Sequence, residues 1–372
     1  MKLDYLSIVF EQARAVDVIE QLIHLPLWLF RKSEGRVKYK EYTKEYTKEY
    51  SMGSFTVYGD SKRTEKNPLG LGCYLSLGGY GCSQLQLFLD TQKQSLSGFF
   101  CDCVELFGKD GFHVTRLDIA IDDRNEVPYF TIQQIKRKCL KGEFIARSKE
   151  IQSVESGKSE DGIEEVDTGK TVYIGSIKAN IRYRFYDKDK EQAGKWNRSV
   201  EEIGSWKRTE IQLRNETAHA FAMHLKDYQE GFAQLAFEFL RENLRFVKAD
   251  QNQRNRNRWK TCQFWERFIG EAKQLTLSAE RPSNGLYETR EWLESGGCLS
   301  AVKLLRYLGD HQALGDLEGI DNALQDVKYS TELSKKAVNH LWHLGKIELI
   351  PEIYEETKKS SHMELNSEYE NS

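Results

Sequence analysis

No apolar run in this chain approaches the roughly 20 residues that a membrane-spanning helix needs. The first ten residues, Met1–Phe10, carry Lys2 and Asp4 and lack a long apolar centre, so a secretory signal is not expected. Cysteine is sparse and unpatterned. There are seven, an odd number, with no Cys-x-x-Cys spacing and one close pair, Cys101 and Cys103. That pattern argues against a disulfide framework or a structural zinc and fits reduced thiols in a cytoplasm. Positive charge is not in excess either. The formal net charge is −3 and the pI about 6.3, so any contact with nucleic acid must use local basic patches and weaken with salt.

What the chain has is a core and a peculiar set of strands. Its 372 residues, 39% hydrophobic and 12% aromatic, suffice for one large or two ordinary globular domains. Three segments, 113–123, 181–187 and 206–214, alternate bulky apolar with charged residues. Side chains two apart in a strand share a face. Leu117, Ile119 and Ile121 therefore oppose Arg116, Asp118 and Asp122; Ile181, Tyr183 and Phe185 oppose Arg182, Arg184 and Tyr186; Ile211 and Leu213 oppose Arg208, Glu210, Gln212 and Arg214. An ordinary solvated sheet face carries Thr, Ser and Lys. This one carries carboxylates, arginines and a tyrosine, which suits metal-dependent chemistry on a phosphate backbone.

Around these strands the pattern predicts strands at 3–10, 54–58 and 73–77 and helices at 14–25, 95–107 and 131–140. Gly78-Gly79-Tyr80-Gly81 reads as a turn into a helix starting near Ser83. The repeat at 41–48 reads as a polar strand or hairpin arm. The stretch 148–170 is polar and without aromatics, and reads as a long flexible loop. Residues 171–176 and 181–187 read as a hairpin. Beyond Asn215 the spacing turns helical, at 218–246, 301–308 and 334–344, and the chain is polar from Glu352 onward. The expected class is α+β: an antiparallel-rich sheet bearing the active face, packed with helices, then a helical C-terminal region. The expected boundaries are 1–245 for the catalytic domain, 246–350 for a helical region and 351–372 for a flexible tail.

In order along the chain stand Leu3-Asp4-Tyr5-Leu6-Ser7, Thr115-Arg116-Leu117-Asp118 with Asp122, Tyr173-Ile174-Gly175-Ser176, Arg184-Phe185-Tyr186-Asp187-Lys188 with Glu191, and Trp206-Lys207-Arg208-Thr209-Glu210-Ile211. With this ordered set the chain resembles the Rep_trans-class replication initiation factors of rolling-circle plasmids and the related relaxases of Gram-positive integrative conjugative elements. The resemblance implies a site- and strand-specific DNA nickase whose tyrosine attacks the scissile phosphodiester and stays joined to the 5′-phosphate. It implies a divalent ion, Mg²⁺ or Mn²⁺, an acidic cluster, a homodimer and a host helicase partner. It carries the nucleophile onto Tyr186 and the acidic pair onto Asp118 and Glu210. Many rolling-circle nickases use a His-hydrophobe-His metal motif; the eight histidines here contain no such pair, and the Rep_trans pattern relies on carboxylates instead.

The residue types suit this chemistry. A phenol is a poor nucleophile at pH 7, and nearby cations such as Arg184 and Lys188 would lower its pKa or hold the attacked phosphate. Asp118 and Glu210 converge if their strands are neighbours, whereas Asp118 and Asp122 stand about 13 Å apart along one strand, leaving Asp122 or Asp123 a weaker third ligand. His113 is a further candidate ligand. Each has a plainer alternative: Asp118 pairing with Arg116 or Arg184, Glu210 bonding an arginine across the strands, Gly79 and Gly81 simply turning the chain. Tyr42, Tyr46 and Tyr50 would stack on unpaired bases or line a polar sheet edge. Arg116 and Arg182, with Arg254, Arg256, Arg258 and Lys260 beside Trp259, are candidate DNA contacts, the last four equally a solvated basic face. Residues 334–350 would read an origin or close the core. A non-catalytic DNA-binding regulator and a phosphodiesterase using water are the rival functions.

Overall fold

The fold was read from a computed structural model, which describes residues 1–37, 46–61, 67, 69–160, 163–196, 198–271, 286, 289–290, 293, 298–313 and 320–357. The strands in chain order are β1 (Lys2–Phe10), β2 (Arg31–Val37), β3 (Tyr46–Met52), β4 (Phe55–Ser61), β5 (Cys73–Leu77), β6 (Phe112–Asp123), β7 (Phe144–Ala146), β8 (Ile151–Glu160), β9 (Ile163–Ile174), β10 (Ile181–Asp187), β11 (Lys207–Arg214) and β12 (Leu244–Phe246). The chain divides into two compact units, one of residues 1–11 and 75–280, the other of 12–74 and 281–372. The expected boundary near residue 245 therefore falls inside the first unit, because Trp265 and Phe268 lie in its aromatic core with Phe130, Phe185 and Phe246.

In the first unit the strand order is β5–β1–β6–β11–β10–β9–β8, antiparallel from β1 onward. On β6, β10 and β11 one face is apolar. Leu117, Ile119, Ile211, Leu213 and Phe185 are fully buried there, and the helix Asn215–Asp227 packs on β6. Alternation then forces the charged residues of the same strands onto the other face. Burying those apolar side chains stabilises the sheet by about 1.5–3 kcal/mol each, so a one-residue slip of register is heavily disfavoured.

Most of the stretch expected as a loop is strand: 151–160 form β8 and 163–170 lie in β9, a long hairpin at the sheet edge. Edge strands are held by backbone pairing to one neighbour and tolerate charged side chains, so a polar segment without aromatics still serves. The turn from β9 to β10 uses Gly175 at φ +105°, where an added Cβ would lie 2.8 Å from the Ile181 carbonyl oxygen. The predicted helix at 14–25 is a short turn of helix, Ala15–Asp17, running into a wider π-type turn over Val18–Leu22.

In the second unit β2, β3 and β4 form an antiparallel meander. Tyr46 and Tyr50 are buried in it, so neither serves as an open base-stacking platform; Tyr42 lies outside the described residues. The helix Thr331–His343 meets the β3–β4 turn, with Asn339 Nδ2 donating to Ser54 Oγ at 3.1 Å and Ser54 N–H donating to Asn339 Oδ1 at 3.2 Å. Tyr354 of the helix Ile350–Glu355 donates to the Ser51 carbonyl, so these helices close the core of their unit. Among the described residues no helix is long and apolar enough to cross a membrane.

Candidate active site

The charged face of β1, β6, β10 and β11 is a grid whose rows follow from register. Tyr186 sits opposite Arg208, which sits opposite Asp122; Arg184 sits opposite Glu210, opposite Ala120; Arg182 sits opposite Gln212, opposite Asp118, opposite Tyr5. Asp118 and Glu210 are thus diagonal neighbours on adjacent strands.

The central contact joins two of the predicted residues. The Tyr186 hydroxyl donates to Glu210 Oε1 at 2.7 Å, and Arg184 Nη1 donates to Glu210 Oε2 at 3.4 Å. The Arg184 guanidinium also lies 3.9 Å from the Tyr186 ring centroid, and Lys188 Nζ lies 5.5 Å from it. Tyr186 is only 3% exposed. Burial and the Glu210 carboxylate push its phenol above the ordinary range, and the opposing pull of Arg208 does not overcome them. The expected lowering of the phenol pKa by neighbouring cations is therefore reversed. The tyrosine is held protonated, its proton already aimed at a carboxylate.

Asp118 is buried and gripped by Arg116, whose Nε donates at 3.0 Å to Oδ1 and whose Nη2 donates at 2.6 Å to Oδ2. Despite that grip, burial raises the Asp118 pKa to about 6, with Glu210 and Asp4 adding to the rise. Asp4 was not among the expected site residues. Leu3 opposes Ile119 on the apolar side, which leaves Asp4 on the charged side, and a bulge between Leu3 and Tyr5 keeps Tyr5 there too, opposite Asp118. Asp4 Oδ1 accepts from Arg208 Nη1 at 3.5 Å, and a Cβ added at Gly79 would stand 3.4 Å from that same oxygen. Gly79 thus lets the start of the helix Gly79–Thr91 lie close to Asp4, a role beyond a plain turn.

Other candidates are engaged elsewhere. Asp122 accepts Arg208 Nε at 2.6 Å and Nη2 at 3.0 Å, together with Trp206 Nε1 at 2.5 Å. Burial notwithstanding, Arg208 holds the Asp122 carboxyl below its usual range. Asp123 accepts from the backbone of Asn125 and Tyr129 and shapes the turn after β6. His113 stacks on His219 at 4.7 Å, on the helix-packed side, away from Asp118. Lys188 is paired with Glu191 at 2.8 Å. Arg254, Arg256, Arg258 and Lys260 are all exposed around a short turn, with Arg256 5.3 Å from the Trp259 ring centroid.

The Arg208–Asp122 pair is a strut of the site. Replacing Arg208 with Ala leaves a buried carboxylate without its cation, and is expected to lower unfolding stability by about 3–5 kcal/mol. Urea denaturation of the two proteins measures the difference.

A family profile described as "Replication initiation factor" matches residues 112–319, more than half of the chain. The chain belongs to the replication initiation factor family. A second profile, the "Rolling Circle replication initiation protein N-terminal domain", matches residues 1–102. The first segment holds Asp118, Tyr186 and Glu210 of this initiation-factor chain; the second holds Asp4. The putative DNA relaxase NicK of Bacillus subtilis (strain 168) is 31% identical over 315 residues, covering 84% of this chain and 83% of the relative. The solved structure of a rolling circle replication initiator protein from Geobacillus stearothermophilus, 23% identical, covers 75% of this chain and 98% of its own with a TM-score of 0.57, a likeness of fold.

Proposed function

We propose that this family member is a DNA nicking-closing enzyme that starts rolling-circle replication, or strand transfer, of a plasmid or mobile element, with Tyr186 as nucleophile. The observation that carries the reading is the 2.7 Å hydrogen bond from the Tyr186 hydroxyl to Glu210. It supplies what a high-pKa phenol lacks, a positioned proton acceptor. The phenol oxygen attacks phosphorus as its proton passes to Glu210. The bond from phosphorus to the 3′ oxygen breaks, and that oxygen takes a proton from water. The 5′-phosphate stays on Tyr186, and religation runs the same steps backward. Arg184 and Lys188 lie over the ring, placed to take the oxygens of the attacked phosphate.

A divalent cation fits the donor set in kind. Asp118, Asp4 and Glu210 offer only hard oxygens, and Asp118, whose pKa is raised chiefly by burial and further by the Glu210 and Asp4 carboxylates, would be favoured in its ionised form by a cation. Among the described residues no three such groups stand close enough to form a ready cage, so these side chains would have to draw together around Mg²⁺ or Mn²⁺. Asp122 is left out because Arg208 already holds it. Once bound, the cation would supply positive charge to the phosphoryl oxygens. The basic turn 254–260 is a candidate for duplex contact near the nick. A homodimer, a host helicase and a cytoplasmic setting belong to the same reading.

The test is incubation with a supercoiled plasmid carrying the element's origin and Mn²⁺ or Mg²⁺. A 5′-phosphate adduct on the peptide holding Tyr186, found by mass spectrometry, is the expected result; cleavage with no protein adduct would favour water as nucleophile. Glu210→Gln keeps the shape but accepts no proton. It is expected to slow single-turnover nicking by about 10²-fold while leaving strand binding intact.

A further inference from the structure

Five arginines stand on the charged sheet face, and three of them have carboxylate partners: Arg116 with Asp118, Arg184 with Glu210, Arg208 with Asp122. Arg182 and Arg214 differ. Among the described residues neither is within ion-pair distance of a carboxylate, and the Nε of each, like that of Arg184, is buried without a hydrogen-bond partner. They are close enough that Arg214 works against the charge of Arg182. Between them on β11 lies Gln212, 8% exposed, whose Oε1 is also buried and unpartnered. Arg182 is 9% exposed, lies 3.8 Å from the Tyr173 ring centroid and donates from Nη2 to Gln152 Oε1 at 3.1 Å.

Two neighbouring guanidinia with no carboxylate in direct contact, one of them buried and with Glu150 as a more distant counter-charge, are costly to the fold. The cost is offset if an anion enters. Tyr173 and Gln152 hold the Arg182 fork in a fixed plane, which suits two oxygens of one phosphate better than a mobile lysine would. Arg182 is four residues from Tyr186 on the same strand and face, about 13 Å away. That is too far to serve the phosphate under attack by Tyr186.

We propose that Arg182 and Arg214, with Gln212 between them, form a second phosphate subsite that grips an uncleaved phosphodiester of the DNA strand and so sets where the strand crosses Tyr186. This rests on the nicking reading for its strand, but binding can be measured without cleavage. The probe is fluorescently labelled oligothymidylate, titrated by anisotropy across a salt series with the full chain.

Losing two phosphate contacts on a single strand lowers the slope of log K against log salt by about 1.4. The double variant Arg182→Gln/Arg214→Gln is expected to show that drop and about 10–100-fold weaker binding at low salt. Arg182→Lys/Arg214→Lys keeps the charge and is expected to keep the slope. Relief of like-charge crowding should leave the Gln variant melting no lower than the parent, which separates lost binding from lost fold. An unchanged slope in a folded Gln variant overturns the proposal. So does a melting temperature that inorganic phosphate raises in the parent and not in the Gln variant while the DNA slope stays the same, since the site would then take a free anion. Tyr186→Phe should retain the full slope, so failure of the tyrosine assignment and failure of this subsite give different results.

Discussion

Replacing Tyr186 with Phe is expected to abolish both the nick and the covalent adduct, a loss of about 10⁴-fold or more, because no other group can take over the nucleophile's place. The substitution removes one oxygen and leaves the ring in its pocket beneath Arg184. Glu210 loses one hydrogen bond but keeps Arg184, so the cost in stability is about 1–2 kcal/mol. The nearby tyrosines offer no substitute. Tyr183 lies on the apolar face, where burial raises its pKa and its hydroxyl has no partner among the described residues. Tyr5 sits beneath Arg116 and bonds Ser76, and Tyr173 carries Arg182 on its ring. Strand binding should survive, since the cations of the face remain. A Tyr186→Phe protein that still nicks with a phosphotyrosine adduct would move the nucleophile elsewhere and end the assignment.

Much of this face was legible because period-two alternation is a local property. Arg116 through Asp122, Arg182 through Tyr186 and Arg208 through Arg214 each declare one charged side and one apolar side in a few residues, and the apolar side fixes which way they point. Register is not local. Nothing in the sequence says that Ala120 rather than Asp118 stands opposite Glu210, or that Asp122 meets Arg208 and is thereby used up. Asp4 was hidden for a related reason: nothing in the sequence says that β1 lies beside β6, and only that pairing brings Asp4 to Arg208. The β8–β9 hairpin was hidden because an edge hairpin draws on backbone pairing, which leaves little trace in composition. The phenol's raised pKa is not legible in the sequence, since burial depends on what covers Tyr186, and neighbouring cations in the sequence carry no information about depth.

Asp118→Asn should stabilise the metal-free protein while destroying its activity. The folded-state pKa is about 6, above the ordinary carboxylate value of 3.8. Between those two values the folded protein binds a proton that the unfolded chain has released, so the contribution of Asp118 to stability falls as pH rises through that window. Above pH 6 the ionised carboxylate costs up to about 3 kcal/mol. Asn carries no such charge, and Arg116 retains its seat 4.1 Å from the centroid of the Tyr5 ring. The variant is therefore expected to melt a few degrees higher than the parent at pH 7–8, and the advantage should vanish below about pH 4. Nicking should fall about 10³-fold, the scale of losing several kcal/mol of charge stabilisation at the phosphoryl oxygens. Cation binding supplies a readout independent of turnover. Mn²⁺ at 100 times its Kd would add about 2.7 kcal/mol to the parent and raise its melting temperature, with no such rise in the variant. A variant that still melts higher with Mn²⁺ and still nicks would show that the cation is held by other groups.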